Sequence, residues 1–530
     1  MTLGGEKESL WQANSQGLAR LPIRHPSAIV PCDTRTSESP VAPRKLSMTI
    51  QARFASGIRW LAVARLTSQI LSWVGTIYVM RLLAPTDYGL AAICSAVLML
   101  ASLIAEFGFG AAIVQAATLS REEVRSVFGA SLLFSSLCAG AVALAAPLLG
   151  NFYRAPEAVP MIQVAMTTLI LSSFATLPDA YLRRDMAFAR ISVVEFCTAI
   201  TATLVTVSLA AGGAGVWSLI VGPVAGSAMR TMMVFAMARV WITPSLNIRI
   251  ARRLLSYGLK ITVSRMASYV LGQSDVLIAG RVLAKSELGV YSVAMHLAML
   301  PMGKLMGVLN TVTFPAIAEV NRNGGDVLSH LLGSLRMIGH VVVPLLWGLA
   351  AVAPWVIPVL IGPAWNGAVL PLQIVCVALP LRLVSTLLAT ALQGLGHAGL
   401  DLRNTLTGVV LLPPLFAIGS VQGVEGLAAA WLVGLPLLLI VNLRRARGIL
   451  GFGIRAVLKA LAPPLLCSAT MAAAVTLTGH ALGPATLTVP GLIGICVFGA
   501  LCQLLLLWHF DRGSASGLLK LVRRPRQAES

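Results

Sequence analysis

The chain has 530 residues, 57% of them apolar and only 11% charged, with 40 Lys and Arg against 20 Asp and Glu for a net charge of +20. A soluble domain carries about 25% charged residues and about 45–50% apolar ones. This composition therefore excludes a soluble enzyme, a disordered scaffold and a nucleic-acid-binding module. The basic residues fall between long apolar runs, where membrane insertion needs them, rather than on one nucleic-acid-binding surface.

Residues 1–52 are polar and contain Pro22, Pro26, Pro31, Pro40 and Pro43, with no apolar stretch that would make a signal peptide. A disordered cytoplasmic tail is expected here, and the natural start is Met1 or Met48. Beyond it, windows of about 20 mostly apolar residues recur fourteen times, at roughly 58–80, 88–112, 127–149, 159–178, 191–211, 216–238, 259–280, 289–316, 338–361, 368–392, 404–421, 426–443, 460–480 and 487–508. The runs are continuous and do not alternate, so helices fit and a barrel does not. The expected fold class is an all-α polytopic membrane protein with about 14 transmembrane helices.

The charges orient these spans. With a cytoplasmic N-terminus, 30 of the 40 basic residues lie on that side and four, Arg81, Arg154, Arg281 and Lys285, lie on the other. The remaining six, Arg65, Arg230, Lys260, Arg265, Lys304 and Arg382, lie within spans. Cytoplasmic loops carry the excess of Lys and Arg, so both termini are expected in the cytoplasm of a multi-pass protein.

Residues 65–89 and 265–289 match at an offset of 200 without a gap. Arg65/Arg265, Ser68/Ser268, Leu71/Leu271, Arg81/Arg281, Leu83/Leu283, Ala84/Ala284 and Gly89/Gly289 coincide, and Asp87/Glu287 keeps the acid. Six spans separate the copies. An even number means both enter the membrane from the same side, the signature of a parallel repeat. Two six-helix lobes, 53–240 and 241–450, are expected, followed by two extra helices in 451–510 and a basic tail in 511–530.

Several stretches carry a family resemblance: RLLAPTDYGL (81–90), LPDAYLRRDMAFARISVVEF (177–196), GAGVWSLIVGP (213–223), SDVLIAGRVLAKSELGVYSVAMHLAMLP (274–301) and IPVLIGPAWNGAVLPLQIV (357–375). The sequence resembles the Wzx-type oligosaccharide flippases, the polysaccharide transporter branch of the multidrug/oligosaccharidyl-lipid/polysaccharide exporter superfamily. The resemblance covers roughly 53–443 and implies fourteen helices in two lobes. It further implies carriage of an undecaprenyl-pyrophosphate-linked oligosaccharide across the bacterial inner membrane for surface polysaccharide synthesis. Such a protein has no cofactor and no enzymatic step. Its partners would be the lipid-linked substrate, membrane lipids, and a polysaccharide polymerase and chain-length regulator; nucleic acid is not among them.

A sugar-bearing diphosphate must cross about 30 Å of hydrocarbon, so a polar cavity with cations is required, and the Arg fork suits phosphate. Intramembrane charges are costly unless they face a cavity or a partner. The candidate substrate-binding residues are Arg65 and Arg265, at matching depth about 10 Å into spans 1 and 7, then Lys304, deeper in span 8, and Arg382 in span 10. Snorkelling to the headgroups is the alternative for Arg65, Arg265 and Arg382. Asp275 is a candidate coupling site or a counter-ion to Lys304, and Glu106 is expected to pair with Arg59 or Arg125. Trp355 and Trp365 flank a short loop and read as interface anchors. No metal-ligand spacing is present among the eight cysteines.

Two competing functions remain open. A cation-coupled multidrug exporter would need inward-facing acids, and span 1 has an arginine and no acid. A membrane polysaccharide polymerase or ligase would need a sizeable outside loop, whereas these loops are about ten residues or shorter.

Overall fold

The computed structural model describes residues 67–106, 120–185, 187–239, 242–323, 325–451, 453–483, 486 and 488–514, with the side chains of 248–261, 263–264, 303–316, 318 and 321 outside that description. The two chain ends, and with them the start at Met1 or Met48, lie outside it. All regular structure among the described residues is helical.

In chain order the helices are α1 (67–82), α2 (Pro85–Glu106), α3 (Arg121–Phe152), α4 (Ala158–Arg184), α5 (Phe188–Ala211) and α6 (Trp217–Ala238). Then come α7 (Ile248–Val282), α8 (Lys285–Arg322), α9 (Val327–Ile361), α10 (Pro363–Gly394), α11 (Ala398–Val421), α12 (Gly423–Leu450), α13 (Ile454–Leu482) and α14 (Val489–Phe510). Eleven of them, α2–α6 and α9–α14, are long and apolar enough to cross a membrane. The others, α1, α7 and α8, occupy the stretches where spans 1, 7 and 8 were expected.

Local chemistry sets the helix ends. Ser120 accepts from the Glu123 amide at 3.1 Å while the Glu123 carboxylate accepts from the Ser120 amide at 2.8 Å, so two orphan donors at the start of α3 are satisfied together. Asp326 does the same for α9, accepting from the Leu328 and Ser329 amides. These backbone hydrogen bonds hold its carboxyl below the usual carboxylate range. α9 ends in a π-helical turn, Ile357–Ile361, stopped by Gly362 at φ +115°, a backbone conformation open to glycine.

The outer surface is apolar: Leu144, Val410, Leu477 and Leu505 are each at least 70% exposed. In water such a surface would drive aggregation, and in lipid it is the expected solvent-facing side. Inside, α2 packs on α4, α7 and α8, α5 on α6, α11 on α7 and α12, and α13 on α9 and α14. α2 and α8 cross at their N-terminal turns through Gly89 and Gly289.

The two tryptophans expected as interface anchors are instead packed inside. Trp365 is 1% exposed, donates its indole N–H to the Met80 carbonyl at 2.8 Å and meets Tyr88 edge-on at 5.2 Å. Trp355 is also buried, against Gly479 of α13. A tryptophan needs the wet interface only when its N–H has no acceptor inside, and the Met80 carbonyl supplies one for Trp365.

Candidate functional site

Between α2, α3, α4 and α6 on one side and α7 and α8 on the other lies a cavity of about 1190 Å³. Its polar lining comes from stripes on otherwise apolar helices. On α4, Thr168, Ser172, Thr176, Asp179 and Arg183 recur every three to four residues, so they share one helix face. Ser95 and Ser102 of α2, Ser131 and Ser135 of α3, Ser173 of α4 and Ser292 of α8 bring the Ser and Thr residues to nine. Five of these hydroxyls donate to a carbonyl: Ser102 to Met99, Ser135 to Ala105, Ser173 to Ile170, Thr176 to Ser172 and Ser292 to Gly289. Their oxygens keep acceptor capacity toward the cavity. The Thr168 hydroxyl is buried with no hydrogen-bond partner among the described residues.

The charged groups gather at one end. Asp179 accepts from Arg183 Nε on one carboxylate oxygen and from Arg230 on the other, both at 2.8 Å. Across the cavity, Glu106 at the end of α2 accepts from Arg265 of α7 at 3.0 Å. Three arginines thus face two carboxylates, an excess of one positive charge. The Arg265 and Glu106 side chains are about half-exposed, so their pair is a weak, exchangeable contact. Along α2 the seventeen helical rises from Gly89 to Glu106 correspond to about 25 Å. Charge therefore sits at one end of the cavity and the glycine crossing at the other.

The sequence-predicted residues separate in space. Arg265 lines the cavity. Arg65 lies outside the described residues, and so does the Lys304 side chain. Arg382 does not line the cavity; its guanidinium lies 5.9 Å from the Trp431 ring centroid and packs on Gly272. Asp275 is 1% exposed and takes a hydrogen bond from the Tyr291 hydroxyl at 2.5 Å, which in turn accepts from Trp431 Nε1 at 2.9 Å. Glu106 finds Arg265 rather than Arg125, whose guanidinium donates to the Thr243 carbonyl, while Arg59 lies outside the described residues. The reason is geometric: Arg265 faces the same cavity from the opposite wall, while Arg125 is drawn to a loop carbonyl.

Two cavity residues had no assigned role in the sequence, Asp179 and Arg230. The signal was the polar stripe of α4, in which a lone acid stands four residues before Arg183 on a face of Ser and Thr. An intramembrane Arg230 with no partner nearby in sequence needed such an acid.

The comparisons agree with this architecture. Over 85% of this chain and 98% of the other, the fold superposes on the solved structure of the lipid II flippase MurJ in an inward closed conformation, with a TM-score of 0.72 at 15% identity. The lipopolysaccharide biosynthesis protein WzxC of Escherichia coli (strain K12) is 23% identical over 73% of this chain and 79% of its own. The succinoglycan biosynthesis transport protein ExoT of Rhizobium meliloti (strain 1021) is 23% identical over 73% of this chain and 78% of its own. The family described as "Polysaccharide biosynthesis protein" matches residues 78–370, more than half of the sequence, and the chain belongs to that family.

Proposed function

We propose that this protein carries a lipid-linked oligosaccharide, anchored on undecaprenyl pyrophosphate, across the bacterial inner membrane by alternating access. The observation that carries the reading is the cavity: nine Ser and Thr residues suited to sugar hydroxyls, and three arginines suited to a diphosphate. The similarity to WzxC, a lipopolysaccharide biosynthesis protein, and to ExoT, a succinoglycan biosynthesis transport protein, supports it.

In this reading 53–240 and 241–450 are the two lobes, and both termini are cytoplasmic. The Glu106–Arg265 end of the cavity then faces the cytoplasm, and the Gly89–Gly289 end faces the periplasm. The carboxylates keep the arginines paired in an empty cavity, because an unpaired cation away from water is costly. An arriving diphosphate exchanges with Glu106 and Asp179, and its phosphate oxygens take the place of the carboxylate oxygens on the guanidiniums. Arg65 and Lys304 extend this cationic lining, and the lipid tail stays in the bilayer. A polymerase and a chain-length regulator use the delivered product. The cavity's excess of cations over acids speaks against a cationic drug as cargo.

The test is complementation of a flippase-null strain with Arg230 and Arg265 replaced by Ala and by Lys, after checking insertion. Surface polysaccharide is expected to fall tenfold or more with Ala and less with Lys. Unchanged export by an R230A/R265A double variant would remove these residues from the mechanism.

A further inference from the structure

At the Gly89 end of the cavity the two halves of the chain cap each other's helices. Arg81, in the last turn of α1, donates to the Leu360 carbonyl at 2.7 Å and also to the Val359 carbonyl, both in the π-helical turn that ends α9. Arg281, in the last turn of α7, donates to the carbonyl of Phe152, the last residue of α3, and lies over the Phe152 ring at 5.1 Å from its centroid. The first helix of each half thus caps the third helix of the other. Helix C-termini carry unpaired carbonyls and the negative end of the macrodipole, so a guanidinium satisfies both acceptor and charge there.

The residues around the arginines keep the same relation. Met80 gives its carbonyl to the Trp365 indole, while Gly280, 200 residues on, is covered by the Tyr153 ring, which lies 3.1 Å from where a Cβ would stand. Asp87 accepts from the Ala84 amide at 3.0 Å and Glu287 from the Ala284 amide at 3.1 Å, fixing the turn after each arginine. Lys285 adds an ion pair with Glu157 at 3.7 Å. The charge pattern gives an independent reason for interest. Arg81, Arg281 and Lys285 are three of the four basic residues on the side that otherwise lacks them, and all three bind across the halves.

We propose that Arg81 and Arg281 are paired latches, related by the repeat, that hold the periplasmic face of the cavity shut and must both release before it opens outward. The assignment of that face rests on the flippase reading above. A latch of this kind belongs to one conformation only: each capped carbonyl end moves away from its arginine when the halves separate. A plain structural staple would instead hold in every state.

The experiment is sidedness of labelling in the full chain. A single cysteine at Ser95, a cavity residue on α2, is introduced with the eight native cysteines replaced, and a membrane-impermeant maleimide is applied to spheroplasts. R81A and R281A are each expected to raise labelling from the periplasmic side several-fold, and the double variant tenfold or more. Labelling of the inserted double variant within twofold of the parent would overturn the proposal. Should the Ala variants fail to insert, R81K/R281K is read instead. Lysine keeps the charge but loses the two-carbonyl fork, so a smaller rise is expected, and unchanged labelling overturns the proposal equally. Labelling needs no substrate, so a loss of export in the complementation test and a failure of the latches are separate results.

Discussion

Gly89 and Gly289 meet backbone to backbone. A Cβ on Gly289 would fall 1.7 Å from the Pro85 carbonyl oxygen, and one on Gly89 would fall 1.9 Å from the Lys285 carbonyl oxygen. Both obstacles are main-chain atoms at helix starts, so no side chain can swing aside to make room. G89A and G289A are each expected to destabilise by about 1–3 kcal/mol or more, the usual cost of overpacking. Gly140 of α3 has nothing within 4 Å of its Cβ position, so G140A should melt with the parent or gain up to about 1 kcal/mol. Thermal unfolding in detergent reads the difference, and a G89A protein that melts with G140A would refute the close crossing.

Asp179 pairs with two arginines at once, and D179N removes the charge from both pairs. The variant without ligand is expected to lose about 1–2 kcal/mol, since hydrogen bonds to a charged partner are replaced by weaker ones and Arg183 is half-exposed. Undecaprenyl pyrophosphate should then stabilise D179N more than it stabilises the parent, because its phosphates no longer compete with a carboxylate. A thermal shift with and without that lipid is the measurement. Equal ligand-induced shifts in the two proteins would mean that Arg183 and Arg230 are not where the diphosphate lands.

Eleven of the helices were legible because membrane spans announce themselves by length and apolarity alone. The match of Arg81 with Arg281 and of Asp87 with Glu287, each 200 residues apart, was legible in the sequence. The partners of the two arginines were not, because Val359 and Leu360 contribute only main-chain carbonyls, and Phe152 a carbonyl and a ring that stand 129 residues from Arg281 in the sequence. The pairing of Glu106 with Arg265 was equally hidden, since 159 residues separate them and only the packing of α2 on α7 brings them together. Arg382 misled for a related reason: an intramembrane cation marks a partner or a cavity, and the sequence does not say which. Asp179 and Arg230 were readable in part, through the period of the α4 stripe.

Asp511 follows α14 and draws together Arg336 and His340 of α9 with Ser514: Arg336 donates at 2.6 Å, His340 Nε2 stands at 2.9 Å, and the Ser514 hydroxyl donates at 2.7 Å. Burial pushes its carboxyl up, but these hydrogen bonds outweigh that effect and hold the pKa at about 2, below the ordinary 3.8. A depressed pKa stabilises the fold above the unfolded value, and that stability is lost as pH falls through the folded one. The carboxylate is therefore expected to contribute about 2 kcal/mol above roughly pH 4, disappearing toward pH 2. Melting from pH 5 to pH 2 should converge the parent onto D511N. A constant gap between the two across that range would show that Asp511 does not titrate in this way.

Tyr291 sits in the middle of a buried chain linking α7, α8 and α12, donating to Asp275 and accepting from Trp431. All three residues are at most 1% exposed, so water cannot replace a missing partner. Y291F keeps the ring and its packing but removes the one oxygen that serves both neighbours. The Asp275 carboxylate then loses its side-chain donor and the Trp431 N–H loses its acceptor. Each unsatisfied buried group costs about 1–3 kcal/mol, so a loss of about 2–5 kcal/mol is expected. Tyr78 is 46% exposed, and Y78F, which removes the same atom at the outer surface, should change stability by less than about 0.5 kcal/mol. If the two phenylalanine variants melt together, the Tyr291 hydroxyl does not bridge Asp275 and Trp431.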